Sequence, residues 1–466
     1  MKSKKIYGFV LLALIIMLLP IGMVSAKYKQ TKDVGAVTLD IAPPILSPIW
    51  KNQLSTSCTN LIVDSFKPEA SPDTYSNLGL KWDDGIPVGY DSNDDSNFKN
   101  NVRLFEKNDT AYILAIGKNK VIFPENSSLL FQDWSYLINV QKIDFKNIDT
   151  SNVVDMSNMF IYCAKLKRLD ASGFNTSNVE DMSNMFFNCA SLTSLDVSNF
   201  NTSNVTDMNN MFAGCSNMTS LTLGVNFNTP NVTNMADMFN GCSSLTNLDV
   251  KQFDTSQVTN MTQMFNSCKA LTSLDLSNFN TSRVTDMSSM FNTCERLTSL
   301  YISSFNTFNV TNMKNMFGSC YALTALDLSN FTTPYLIDMN NMFYNCNGLV
   351  SLDLSNFSTS DSTNMSNLFT YCSQLKQVTL GGNFKFINYS ADTTVLLPGQ
   401  NFSGANGKWY ISNSGQGYNS TDVAVYHNEH KTTTTYYAVQ SEAPSSTNTF
   451  SLLTENGTIN GAIQGN

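Results

Sequence analysis

The chain has 466 residues, a formal net charge of −9 and only 14% charged residues. An acidic balance with scattered Lys and Arg argues against nucleic acid as a partner, because that recognition needs clustered basic side chains. Asn, Ser and Thr supply most of the polarity, as suits a surface that contacts other surfaces.

Residues 1–26 read as a secretory signal. Lys2, Lys4 and Lys5 precede an apolar run over 6–19, and Val24-Ser25-Ala26 fits a small-residue cleavage site. Cleavage after Ala26 is expected; an uncleaved 6–24 would just span a bilayer. No later segment is apolar enough to do so, and no cysteine near the boundary offers a lipid anchor. Residues 27–120 are read as an N-terminal domain. In it "NVRLFEKNDTAYILAIGKNKVIF" (101–123) predicts strands joined by a turn at Lys107-Asn108-Asp109. Within 121–152, "VQKIDFKNIDTSN" (140–152) matches the strand and turn of the repeat that follows, so this stretch reads as a degenerate capping coil.

From Val153 a unit of 26 residues recurs nine times to Phe384, roughly V-T-D-M-S-N-M-F-x-x-C-x-x-L-T-S-L-D-L-S-N-F-N-T-S-N. Two copies hold one extra residue, at "LTLGVNF" (221–227) and "VTLGGNF" (378–384). Apolar residues at positions 1, 4, 7, 8, 11 and 14 have the one-sided spacing of a helix. Position 3 is Asp or Asn in every copy, which an N-cap would require. "LTSLDL" then predicts a brief strand with Leu inward and Asp outward, and "SNFNTSN" is turn chemistry. The predicted fold class is therefore α/β: a solenoid of about nine 26-residue coils, a short helix plus a short strand each. One coil cannot bury side chains that face up and down the stack, so the coils must stack and be capped. The N-terminal cap is expected to contain β-structure. Residues 385–440, with Trp409, Tyr410, Tyr418, Tyr436 and Tyr437, are read as a small β-rich C-terminal cap, and 441–466 as a disordered tail. "LLPGQN" (396–401) lacks the Thr-Gly step and the trailing segments of a sortase anchor.

The unit "NTSNVTDMSNMF…C…LTSLDLSNF" resembles the 26-residue repeat of BspA-like leucine-rich repeat surface proteins of bacteria, over some 230 residues. "VIFPENSSLLFQDWSYL" (121–137) is similar to the segment that opens the array in that family. "GKWYISNSGQGY" with "TTTTYYA" (407–438) is similar to the small unit that closes it. The resemblance implies a leucine-rich-repeat-like solenoid, secreted or displayed at the cell surface, that adheres to host or microbial macromolecules. It implies no catalytic residues.

Position 11 is Cys in all nine copies, from Cys163 to Cys372, with Cys58 outside the array. A metal ladder lacks a second recurring ligand. Disulfides between coils need Cα atoms within about 7 Å, less than the roughly 8–10 Å between packed helices. The column is therefore read as reduced, buried thiols. Counting free thiols in denaturant tests this.

Position 18 should point outward along the expected concave face, where adjacent aspartates would repel across neighbouring strands. Ser and Thr at positions 16 and 20, with water, are expected to relieve that repulsion; the alternative is a weak Ca²⁺ site between pairs such as Asp249 and Asp275. Tyr301 interrupts the Asp column and reads as a contact anchor. The candidate ligand-binding residues are accordingly Asp249, Asp275, Tyr301, Asp327 and Asp353, with no resident metal or cofactor expected. Phe308, Arg283 and Tyr335 break their columns on other parts of the coil. His427 and His430, in "YHNEHK", are expected in a solvated loop. With no His in the array, a Ser–His–Asp arrangement is excluded there. The expected role is a non-enzymatic binding or adhesion protein for an extracellular protein or glycan. The alternative is a structural surface-layer protein whose copies associate with one another or with the cell wall.

Overall fold

The computed structural model describes residues 121–123, 125–131, 140–400 and 402–445, together with the backbone of strands in the flanking regions. Of the expected signal over 1–26, residues 1–25 lie outside the described residues, as does Cys58.

Repetition of one sequence unit dictates repetition of one coil, and the chain forms a β-solenoid of nine turns. The "LTSLDL" segment pairs in parallel with its copy 26 residues on, as in Ser194↔Ser220 and Asp196↔Thr222. Leu and Val alternate inward and Ser and Asp outward, as in buried Leu195 and Val197 of Ser194–Val197. Seven coils form a regular strand here; those of Asp249 and Asp327 do not.

The expected helix in each coil is absent. Positions 3 to 11 are a series of tight turns, because residues at positions 6 and 10 are left-handed in every copy, for example Asn158 (φ 58) and Tyr162 (φ 63). An α-helix cannot continue through such residues. Their N–H groups, and those at positions 4 and 8, turn to the next coil instead: Asn158 donates to Ser183 O at 2.8 Å, Phe160 to Met185 O at 2.9 Å and Tyr162 to Phe187 O at 2.8 Å. Each turn closes on itself as well, with Cys163 N–H bonded to Phe160 O at 3.1 Å. The apolar spacing that suggests a helix is produced here by turns that each return one side chain to the interior. Position 3 performs the expected chemistry in a different element. In all nine coils its side-chain oxygen accepts the N–H two residues on, an Asx turn, as Asp181 does from Ser183 at 2.8 Å.

Like stacks on like inside. The position-8 phenylalanines from Phe160 to Phe369, preceded by Phe131, form an offset parallel stack with ring centroids 5.1–6.2 Å apart and planes within 9°. The Met residues at positions 4 and 7 are fully buried beside them. Buried threonines at position 24 stitch adjacent coils: Thr255 Oγ1 donates to Asn280 O at 3.0 Å and accepts from Asn280 N at 2.8 Å. The two longer copies place glycine where the backbone passes too close for a side chain. A Cβ on Gly224 or Gly381 would lie 1.9 Å from Ser198 O or Ser355 O.

The thiols are free and buried. Each Sγ–H donates to the carbonyl of the position-8 Phe of the preceding coil, at 3.0–3.4 Å, from Cys163 on Phe131 O to Cys372 on Phe343 O. Burial pushes Cys215, Cys294 and Cys372 up to about 12. The helix spacing expected to keep the thiols apart does not exist here; each thiol instead bonds a backbone carbonyl within the stacked column.

Both ends of the ladder are covered. Strand Lys142–Phe145 lies between Arg168–Asp170 of the first coil and Asn60–Phe66, so the strand ladder continues into a six-stranded sheet. The strands Val102–Lys107 and Thr110–Ile116 pair antiparallel in that sheet. At the other end Thr434–Tyr437 pairs antiparallel with Gln377–Leu380 of the last coil. The cap also contains a helix, Ser420–His430, opened by a capping box between Asn419 and Asp422. It continues past Ser441: Ala443 is buried, and Asn413 N–H donates to Pro444 O at 3.0 Å.

Candidate functional site: the outer faces of the coils

The outward residues of the strand face are held by local chemistry. Asp249, Asp275, Asp327 and Asp353 each accept the backbone N–H two residues on through Oδ1, at 2.8–3.1 Å. Asp275 also accepts from Ser277 Oγ at 2.7 Å, and the Lys251 ammonium lies 3.7 Å from its Oδ2. The Ser277 and Ser329 donors hold the carboxyls of Asp275 and Asp327 below their ordinary range. These contacts offset the repulsion of the column, and each aspartate spends one oxygen on its own turn. Among the described residues, no group of three or more His, Cys, Asp or Glu side chains converges to hold a metal ion. Tyr301 stands in register opposite Asp275 and is 55% exposed.

Other outward columns change character in the later coils. Phe308 (48% exposed) follows Ser177, Ser203, Ser256 and Ser282 at position 25. Tyr335 (57%) takes position 26, where Asn178, Asn204, Asn231 and Asn309 occur. Ile337 (56%) takes position 2, where Thr206, Thr233, Thr259, Thr285 and Thr311 occur. The winding of the coil brings these three breaks to one corner, with the Phe308 and Tyr335 rings 5.5 Å apart and edge to face. Arg283 does not join them; its guanidinium donates to Gln257 Oε1 in the preceding coil. Between Val153 and Leu300 only Val225 is an exposed large apolar residue, whereas seven lie between Tyr301 and Tyr371.

The three overlapping stretches 126–224, 215–301 and 272–384 match the family described as "Mycoplasma protein of unknown function, DUF285". Together they cover more than half of the 466 residues. The chain belongs to the DUF285 family. No curated protein matches it. Among the described residues of this DUF285 protein, no helix is long and apolar enough to cross a membrane.

The histidines of the DUF285 chain sit in the cap and not in a solvated loop. His427 is buried on the helix, with Nε2 3.0 Å from Gly381 O and Nδ1 3.2 Å from Tyr436 Oη. The carbonyl can only accept, so Nε2 carries the proton and Nδ1 accepts from the phenol. Burial lowers its pKa. His430 stacks on Tyr426 with centroids 3.9 Å apart and bonds Tyr426 O at 2.8 Å. The pair diverges: one ring is a packing element under the last coil, and the other lies on the outside of the helix. Sequence reading flags Phe308 and Tyr335 but misses Ile337, although its break in a run of threonines is visible once position 2 is followed down the repeat.

Proposed function

We propose that this is an exported, surface-acting repeat protein that binds an extracellular macromolecule, protein or glycan, through the outer faces of its later coils. The observation that carries the reading is the joint replacement of Ser, Asn and Thr by Phe308, Tyr335 and Ile337 at one corner. The repeat supplies its own reference. In most other coils these positions are polar, and the Met, Phe and Cys columns beneath them are alike, so folding does not call for these aromatic and branched side chains. Exposed aromatic anchors rimmed by polar groups are the composition of contact sites. Asp249, Asp275, Tyr301, Asp327 and Asp353 belong to a second, polar face of the same array. The finer likeness to BspA-like leucine-rich repeat proteins, with adhesion as its role, belongs to this proposal, as does the absence of catalysis. The alternative remains a structural surface-layer role, in which copies associate with one another or with the cell wall; the strands paired at both ends of the ladder bear only on end-to-end contact.

The test restores the repeat: Phe308→Ser, Tyr335→Asn and Ile337→Thr in one chain. Wild type and variant, immobilised, are offered purified matrix proteins and mucins. Retention by the wild type, reduced about tenfold or more in the variant, is expected. Equal retention by both sinks the assignment of the corner. No retention, with concentration-dependent assembly in sedimentation, supports the structural alternative instead.

A further inference from the structure

A second departure from the repeat lies at the opposite bend of the coil, where the turn series hands over to the strand. Position 12 carries Ala164, Ala190, Ser216 and Ser243 in the first four coils, then Lys269 and Glu295, which pair at 2.8 Å. The next coil places Tyr321 there, and the two after it add Tyr344 and Tyr371 at positions 9 and 10. Tyr344 and Tyr371 pack edge to face with centroids 5.4 Å apart, and Asn345 Nδ2 donates to Tyr321 Oη at 3.3 Å. Tyr321 is 38% and Tyr371 62% exposed.

Tyr371 adopts the left-handed backbone (φ 65) that position 10 takes in every coil, where Asn188, Gly214, Gly241, Ser267, Thr293, Ser319 and Asn345 stand in others. In the first coil Tyr162 occupies the same position, but it is half-buried against the Phe187 ring at 5.4 Å. Tyr371, with one edge on the Tyr344 ring, leaves most of its surface exposed.

The chemistry of the bend is uniform. Residues 317–325, 343–351 and 369–375 contain no charged side chain; the nearest, Lys376, lies over the Phe402 ring and 3.9 Å from the Glu442 carboxylate. What they present is phenol, amide and hydroxyl groups. An ionic ligand would find no counter-charge within these segments, and an apolar side chain laid across them would leave the amides of Asn347 and Gln374 without partners. Sugar rings satisfy both demands: their C–H faces lie on tyrosine, and their hydroxyls exchange hydrogen bonds with amides and phenols. The geometry points to this bend, centred on Tyr321, Asn345 and Tyr371, as a subsite for a neutral glycan chain running along successive coils. This inference rests on the binding function proposed above and names one ligand class for it.

The full chain is tested on a printed panel of neutral hexose and N-acetylhexosamine oligosaccharides, with sialylated and sulfated counterparts, at low and high salt. Binding to neutral members is expected, unchanged by salt because no ion pair is involved. Tyr321→Ser with Tyr371→Asn, residues the repeat itself uses at these positions, should weaken it at least about tenfold. Asn188→Ser, in the same column of the second coil, should leave it unchanged, and thermal unfolding checks that both variants fold. No neutral oligosaccharide retained, retention of acidic members alone, or equal binding by the double variant overturns the glycan subsite. Loss of matrix-protein binding on restoring the Phe308 corner is a separate readout, so either reading can fail while the other stands.

Discussion

From Val153 to Leu300 the solenoid exposes one large apolar side chain, Val225, and from Tyr301 to Tyr371 it exposes seven, yet both stretches bury the same columns. Phe186 stacks on Phe212 at 5.7 Å in the earlier part and Phe317 on Phe343 at 5.8 Å in the later. Cys215 and Cys346 bond the preceding Phe carbonyl at 3.2 and 3.0 Å. The interior is set by the repeat. The surface is free to differ.

Three measurements press on that comparison. The largest contrast concerns the thiols. In the native protein an alkylating reagent should leave the nine array cysteines of both parts unmodified, because burial disfavours the thiolate and each S–H is bonded. In denaturant without reductant all nine should react, as mass spectrometry would show. Two or fewer reacting would mean the column is oxidised. Next, Phe186→Ala and Phe343→Ala should each cost about 3–5 kcal/mol of stability, alike within error, since both remove a fully buried ring from the same stack. A large inequality in denaturant midpoints would show that the two interiors are not equivalent. The smallest effect belongs to the cap. His427 has its folded pKa lowered by burial, so the unfolded chain takes up the proton first as pH falls below the ordinary imidazole value of about 6.5. Stability of the cap is therefore complete above that pH and declines as pH falls below it. Hydrogen exchange over Ser420–His430 should quicken on mild acidification while exchange in the central coils does not. His427→Gln should flatten the response.

Much of this was legible in the sequence, and the misreading has a definite cause. Nine aligned copies make inward and outward columns visible, and the strand of "LTSLDL" folds with Leu inward as read. Positions 1, 4, 7, 8, 11 and 14 carry apolar residues both in a helix and in a chain of tight turns, so periodicity could not separate them. Composition could have: position 6 is Asn or Asp in seven coils, and position 10 includes Gly214, Gly241 and Asn188, the residues that tolerate a left-handed backbone. The same Asx preference at positions 3 and 18 marks turns, since in each the oxygen reaches the N–H two residues ahead. Phe308 and Tyr335 stand out as broken columns. Their contact does not, because positions 25 and 26 of consecutive coils meet only when the pitch of the winding is known. His427 was read as solvated because nothing near it in sequence announces Gly381, its partner 46 residues away.

The bonds between neighbours carry one more implication. From coil to coil the same columns supply the N–H and carbonyl partners, 25 residues apart in the turn series, as Asn158 to Ser183, and paired 26 apart in the strands, as Ser194 with Ser220. Unequal recombination between copies of the gene segment would therefore add or remove whole turns without creating a foreign junction. Such a protein can change its reach in steps of one strand spacing, about 4.8 Å, while the rings and amides that distinguish its far end ride along unaltered.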